Sequence, residues 1–189
     1  ITQPDRQSMA NSLQLLQQLD VIENDQLTQH GQQISQLALH PRLSHMVVQA
    51  KTKNMGYEAC VLAAILSEGD PLFFQEPNAD LSLRLQLFER SSFPAYFVNA
   101  KVNQKKAQRI LKSAHKIAKM LSIDTHHFHS DHCGQLLMLA YPDRIGQKRG
   151  NGYRLRNGLG CQLHHLENLG ASDFLAIAHI SQSQQQGHH

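Results

Sequence analysis

Six cations recur along one stretch of this chain: Lys101, Lys105, Arg109, Lys112, Lys116 and Lys119. Their separations are four, four, three, four and three residues, the intervals that return a side chain to one face of an α-helix. At 100° per residue the six fall within a sector of about 80°, opposite an apolar face of Ala107, Ile110, Leu111, Ala114, Ile117, Ala118 and Leu121. No Asp or Glu lies between Lys101 and Lys119. No acid one turn away therefore neutralises the row, and each like-charged pair costs about 0.2–0.5 kcal/mol. The chemistry open to such a row is electrostatic. Cations stepping about 5–6 Å along one helix face suit the phosphates of an extended strand. The alternative is a solvated face, or one paired with acids from elsewhere in the fold.

A second basic group lies in Gln147-Lys148-Arg149-Gly150-Asn151-Gly152-Tyr153-Arg154-Leu155-Arg156. Glycines let a backbone approach a ligand closely. Arg154 and Arg156 are two apart and share one face of a strand. Tyr153 is placed to stack on a base, with Lys148, Arg149, Arg154 and Arg156 on phosphates, as in single-strand-binding β modules of the OB type. An ordinary basic hairpin reads the same way.

Other constellations carry less. His126, His127, His129, His132 and Cys133 cluster in sequence, but zinc needs three or four ligands converging on a point. Polar surface histidines are the better reading, and no metal is assigned. Neither G-x-S-x-G nor G-x-x-x-x-G-K-[ST] is present. No catalytic residue, ATP-binding residue or other cofactor is therefore expected in these 189 residues.

The elements that position the cations read as mainly α with a small β part. Hydrophobic residues make up 41% of the chain, enough for one or two domains with a core. Without Trp, that core must rest on aliphatic residues. A helix is expected over 4–19, with Met9, Leu13, Leu16 and Leu19 at helical spacing. Val21 to Leu27 then breaks into two apolar pieces around a polar turn, like a small wing. Thr28 caps a helix over about 29–37. Together these resemble a winged-helix portion, 1–40. Helices over about 41–52, 57–67, 81–90, 101–121 and 131–140 make a bundle, 41–140. The almost continuously apolar 57–67 lies at its centre. Residues 91–99 read as an irregular link. After Pro142, glycines punctuate short segments that read as strands (153–156, 161–164 and 174–178) of a truncated OB-like β unit, 141–180. Residues 181–189 are a polar tail whose final Gly-His-His reads as the start of a tag. The missing initiator Met makes the chain read as an excised fragment.

The formal charge of +3 is too small to name a partner; the clustering of charge matters more. Three scattered cysteines, Cys60, Cys133 and Cys161, suit free thiols in a reducing cytoplasm. No apolar run is long enough to span a bilayer, so no membrane partner is expected.

Several stretches resemble the bacterial HrpB-type DEAH-box helicases. They are Leu15 to Ile22 with Leu27-Thr28-Gln29-His30-Gly31; Leu37-Ala38-Leu39-His40-Pro41-Arg42-Leu43; Ala63 to Leu72 with Ala79-Asp80-Leu81; and Leu139-Ala140-Tyr141-Pro142-Asp143-Arg144-Ile145 through Gly160. The resemblance covers nearly all of 1–180. It implies a winged helix, a helicase-associated or ratchet bundle and an OB-like domain, attached to two RecA-like motor domains that precede residue 1. The motor domains would bind ATP and Mg and drive unwinding. These accessory domains would help enclose a single strand, RNA in preference to DNA. Arg42 and Arg144 match family positions and become candidate nucleic-acid contacts. The alternative from another class is a helical scaffold that docks a protein or the motor without touching nucleic acid. An independent winged-helix regulator is disfavoured, because residues 30–36 carry no Lys or Arg.

Overall fold

The computed structural model describes residues 5–163 and 168–180. Helix α1 (Arg6–Gln18) starts at Asp5, whose carboxylate accepts the Ser8 N–H. Strands β1 (Ile22–Glu23) and β2 (Gln26–Leu27) form a hairpin. Its two turn residues, Asn24 and Asp25, both have positive φ, as a type I′ turn requires. Thr28 caps α2 (Gln29–Ser35) by accepting the Gly31 N–H at 2.9 Å. Pro41 opens α3 (Pro41–Lys51), where its missing N–H costs nothing. Next come α4 (Gly56–Glu68) and β3 (Leu72–Phe74). Asp80 caps α5 (Leu81–Gln86), which tightens into a 3-10 turn over Leu87–Glu89. Strands β4 (Tyr96–Phe97) and β5 (Ala100–Val102) lead into α6 (Gln104–Met120). Helix α7 (Cys133–Ala140) precedes β6 (Ile145–Arg149), β7 (Gly152–Leu155), β8 (Gly160–Cys161) and β9 (Phe174–Ala176).

The chain is mainly α with a small β part, as expected. Every residue of α4 from Gly56 to Ile65 is buried, because its apolar side chains leave no polar face to turn outward. Helices α3 and α6 pack on it, and α7 packs on α3. Their inner faces merge into one core through Leu43, Met46, Val47, Leu62, Ile110 and Leu136. A smaller cluster of Leu72, Leu87, Phe97, Ala100, Val102 and Ala107 lies under β3, β5 and β4, which form one antiparallel sheet in that order. The second sheet runs β8-β7-β6-β9, also antiparallel.

Several expectations need correction. The sixth helix begins at Gln104, capped by the Asn103 side chain on the Lys106 N–H; Lys101 belongs to β5. The link 91–99 contains β4 and a tight hairpin turn. Strands β3 and β6 were not foreseen, because two- and three-residue strands leave no period to read and Ile145–Arg149 has little alternation. In α1 the apolar face is only partly used: Leu19 is buried, but Met9 is 65% exposed. The expected helix start at Pro4, the strand end at His164 and the tail from 181 lie outside the described residues.

Gly31 shows how closely α2 sits on the hairpin: a Cβ there would stand 2.1 Å from the Val21 carbonyl oxygen. Backbone cannot yield as a flexible side chain can, so Gly31→Ala must push α2 and the hairpin apart. The expected loss is about 1–3 kcal/mol, read as a lower urea midpoint with an unchanged slope.

Candidate nucleic-acid interface

The cation row is positioned by the packing of α6. Ile110, Ala114, Ile117 and Ala118 are buried in the bundle core, where α6 packs chiefly on α4, and Ala107 is buried under the β3-β5-β4 sheet. The opposite face therefore points to solvent, and Lys105, Arg109, Lys112, Lys116 and Lys119 are all exposed. Two contacts tie the flanks of the helix to α4. The Ser113 hydroxyl donates to Glu68 Oε1 at 2.8 Å, and the Tyr57 hydroxyl lies 3.1 Å from His115 Nε2. Lys101 sits just upstream on β5, with its side chain also exposed.

Among the described residues, none of these six side chains forms an ion pair or a hydrogen bond. No acid of the described residues pairs directly with the row; the nearest contact of an acid with α6 is Glu68 on Ser113. The first turn of α6 adds to the imbalance: it holds Lys105 and Lys106 and no acid. Cations at the positive end of a helix dipole are unfavourable by about 0.3–1 kcal/mol each. The arrangement is one that an external anion would relieve.

The second basic group stands on the other sheet. Arg149, Arg154 and Arg156 are exposed. Arg149 donates to Gln147 Oε1 on its own strand, and Lys148 turns in to donate to the Gly170 carbonyl at 2.6 Å. Tyr153 is a correction. Its ring is only 5% exposed, and its hydroxyl donates to the carbonyls of Ser172 (2.8 Å) and Leu169 (3.1 Å). The ring is core of the sheet and is not free to stack on a base.

Arg42 and Arg144 come together around Tyr141, with both guanidinium groups about 5 Å from its ring centre. Arg42 is buried and bidentate on Asp143, at 2.6 and 3.0 Å, and it also donates to the Ala140 carbonyl. Arg144 donates to the Ala178 carbonyl at 2.7 Å. Arg42 therefore already has its carboxylate, and the group fastens α3 to the α7–β6 junction and to the end of β9. Burial alone would push the Asp143 carboxyl up. The hydrogen bonds and charge of Arg42 outweigh that and hold it below its ordinary value.

Three further residues had no signal in the sequence reading. Arg84 is buried, with five hydrogen bonds: two to Asp70 Oδ2, and one each to Asn78 Oδ1, the Asn78 carbonyl and the Asp80 carbonyl. Phe73 and Tyr96 are exposed beside Lys101, on strands too short to be recognised. In the histidine cluster, His132 Nδ1 lies 3.2 Å from the buried Glu58 carboxylate, which also accepts the His129 N–H. Among the described residues no three His, Cys, Asp or Glu side chains are placed to hold a metal ion.

No family model matches the chain. The ATP-dependent RNA helicase HrpB of Escherichia coli (strain K12) is 30% identical over 177 residues, 93% of this chain and 19% of that protein. Two crystal structures of E. coli HrpB, one described as a DExH-box NTPase and one as a DEAH/RHA helicase, superpose with TM-scores of 0.72 and 0.75 at 28% identity. They cover 97% and 96% of this chain and about a fifth of theirs. The chain is similar to HrpB along nearly its whole length. The expected likeness to HrpB-type helicases is borne out as a likeness to part of them, since the chain spans about a fifth of their length. The ATP-dependent RNA helicase HrpA of the same organism is 35% identical over 74 residues, 36% of this chain and 6% of that protein. Within this chain Arg42, Asp143 and Asp70 join elements distant in sequence, and Gly31 lets α2 sit closely on the hairpin.

The Arg42–Asp143 joint is testable by pH. A carboxyl held below its ordinary value of 3.8 adds stability that is complete above that value and is lost as the pH falls through the depressed one. Asp143→Asn should cost about 2 kcal/mol near neutral pH, less than a fully buried pair because Asp143 is a quarter exposed. The gap between variant and parent should close in acid-dependent urea melts as the pH falls through the depressed value, below the ordinary 3.8.

Proposed function

We propose that this chain is the accessory, nucleic-acid-contacting part of an HrpB-type ATP-dependent RNA helicase, guiding a single strand for RecA-like motor domains. The observation that carries the reading is the row of six exposed cations with no partner among the described residues. An internal role would leave acids facing that row, whereas a phosphate backbone supplies the missing charge and releases counterions on binding. The likeness to HrpB supplies the biological setting.

In this reading 1–40 is a winged-helix portion, supported by its helix, hairpin and capped helix. Residues 41–140 are the helicase-associated ratchet bundle, and 141–180 begin an OB-like unit built on the sheet β8-β7-β6-β9. Lys101, Lys105, Arg109, Lys112, Lys116 and Lys119 contact phosphates, with Arg149, Arg154 and Arg156 as a second set. Lys148 and Arg144 contribute at most through the parts of their side chains left half-exposed. ATP and Mg belong to the motor domains, and no residue of this chain is assigned to them. The setting is cytoplasmic; no described helix is long and apolar enough to cross a membrane.

Binding to a labelled single-stranded RNA across a salt series tests the rail. Six neutralised phosphates give a slope of log affinity against log salt of about −4. Reversing Lys105, Arg109, Lys112 and Lys116 to Glu should weaken binding and flatten the slope. An unchanged slope would assign the row to solvent or to protein docking.

A further inference from the structure

Strands β3, β5 and β4 place three outward side chains in one line. Phe73 pairs with Lys101 across β3–β5, and Tyr96 pairs with the same Lys101 across β4–β5. Directly paired residues point to the same face of a sheet. The opposite face, with Leu72, Phe97, Ala100 and Val102, is buried. Phe73 is 56% exposed and Tyr96 is 71% exposed. A half-buried antiparallel sheet ordinarily alternates apolar inward with polar outward; here two of the three outward positions are aromatic, and the third is a cation.

The row spans two inter-strand steps, so the two rings stand about 10 Å apart with Lys101 between them. Lys101 is also the first member of the cation rail, and β5 passes through Asn103 directly into α6. The aromatic row and the phosphate-facing row are therefore continuous. The hairpin that presents Tyr96 is strained. Val98 and Asn99, its two turn residues, have φ of 44° and 59°, and a β-branched residue in that region is an outlier. From the other side, β3 is fixed by Asp70, which accepts the Leu72 N–H through Oδ1 and grips Arg84 through Oδ2.

We propose that Phe73 and Tyr96 are base-stacking platforms for a single-stranded nucleic acid whose phosphates lie along Lys101, Lys105 and the rest of the rail. This rests on the nucleic-acid reading above and deepens it by assigning the bases as well as the backbone. The occupant follows from the chemistry of the face. Flat apolar rings beside unneutralised cations match a polymer of flat bases joined by phosphates, and stacking is indifferent to sequence because every base has a π face. An apolar protein surface would match the rings but leave Lys101 and Lys105 unanswered.

The chain has no Trp, so Tyr96→Trp installs a sole reporter. Adding an oligouridine 12-mer should quench its emission. An abasic strand of the same length and charge should bind through the rail without quenching it. In parallel, Phe73→Ala and Tyr96→Ala should each weaken oligouridine binding about tenfold and leave the salt slope unchanged, since no phosphate contact is removed. Affinity for the abasic strand should stay at the parent value in both variants. Both side chains point away from the core, so matched thermal melts confirm folding, and Tyr96→Phe should retain affinity. Oligouridine affinity equal to the parent in both alanine variants would overturn the stacking assignment, leave the rail intact and give the face to a protein partner. An equal loss on the abasic strand would overturn it as well. A parent chain that binds neither strand at low salt would overturn the nucleic-acid reading and this inference together.

Discussion

The packing of α6 on α4 is the constraint from which the surface chemistry follows. Helix α4 has no polar face, so the bundle must close around it. On α6 the side chains at the contact are small or aliphatic, with Ala114 and Ala118 beside Ile110 and Ile117. Small residues let helix axes approach closely, and the branched pair locks the rotation. Turning α6 by even one residue, about 100°, would drive a Lys or Arg into the core, where an unpaired charge costs several kcal/mol. The apolar face thus fixes the direction of the cations.

A second layer of constraint is ionic and lies at the joints. Arg84 spends all five N–H donors on the loop between Asp70 and Asp80, and so sets where β3 enters its sheet. Arg42 grips Asp143 across the junction of bundle and second sheet. Both arginines are buried; Arg84 has no donor left over, and Arg42 commits three of its five. The joints lie in Pro41-Arg42, Gly69-Asp70-Pro71 and Tyr141-Pro142-Asp143-Arg144. These ionic joints fix architecture, whereas the proposed interface lies on a helix marked only by charge periodicity.

What was legible follows the same division. Long amphipathic or wholly apolar segments announce themselves, and α3, α4, α6 and α7 lie close to their expected places; the cap at Thr28 acts as read. The strand carrying Lys101 and the sheet it joins were not legible, because three-residue strands are specified by partners distant in sequence: Phe73 meets Lys101 only once 27 intervening residues have folded. The role of Tyr153 was misread for a related reason. Alternation in Tyr153-Arg154-Leu155-Arg156 shows that two faces exist but not which is buried, and the core took Tyr153 with Leu155 while Arg154 and Arg156 went outward. Likewise Arg42 carries no mark of its partner, which lies 101 residues away.

In the proposed reading one face of this molecule, and not its charge in general, meets the strand. Lysine acetylation footprinting with and without a saturating single-stranded RNA tests it most directly, because the rail lysines and control lysines are read in one experiment. Strong protection of Lys101, Lys105, Lys112, Lys116 and Lys119 is expected, with Lys53, exposed just past the end of α3, modified at the same rate in both samples. Equal protection of Lys53 and the rail, or protection that spares the rail, would contradict it.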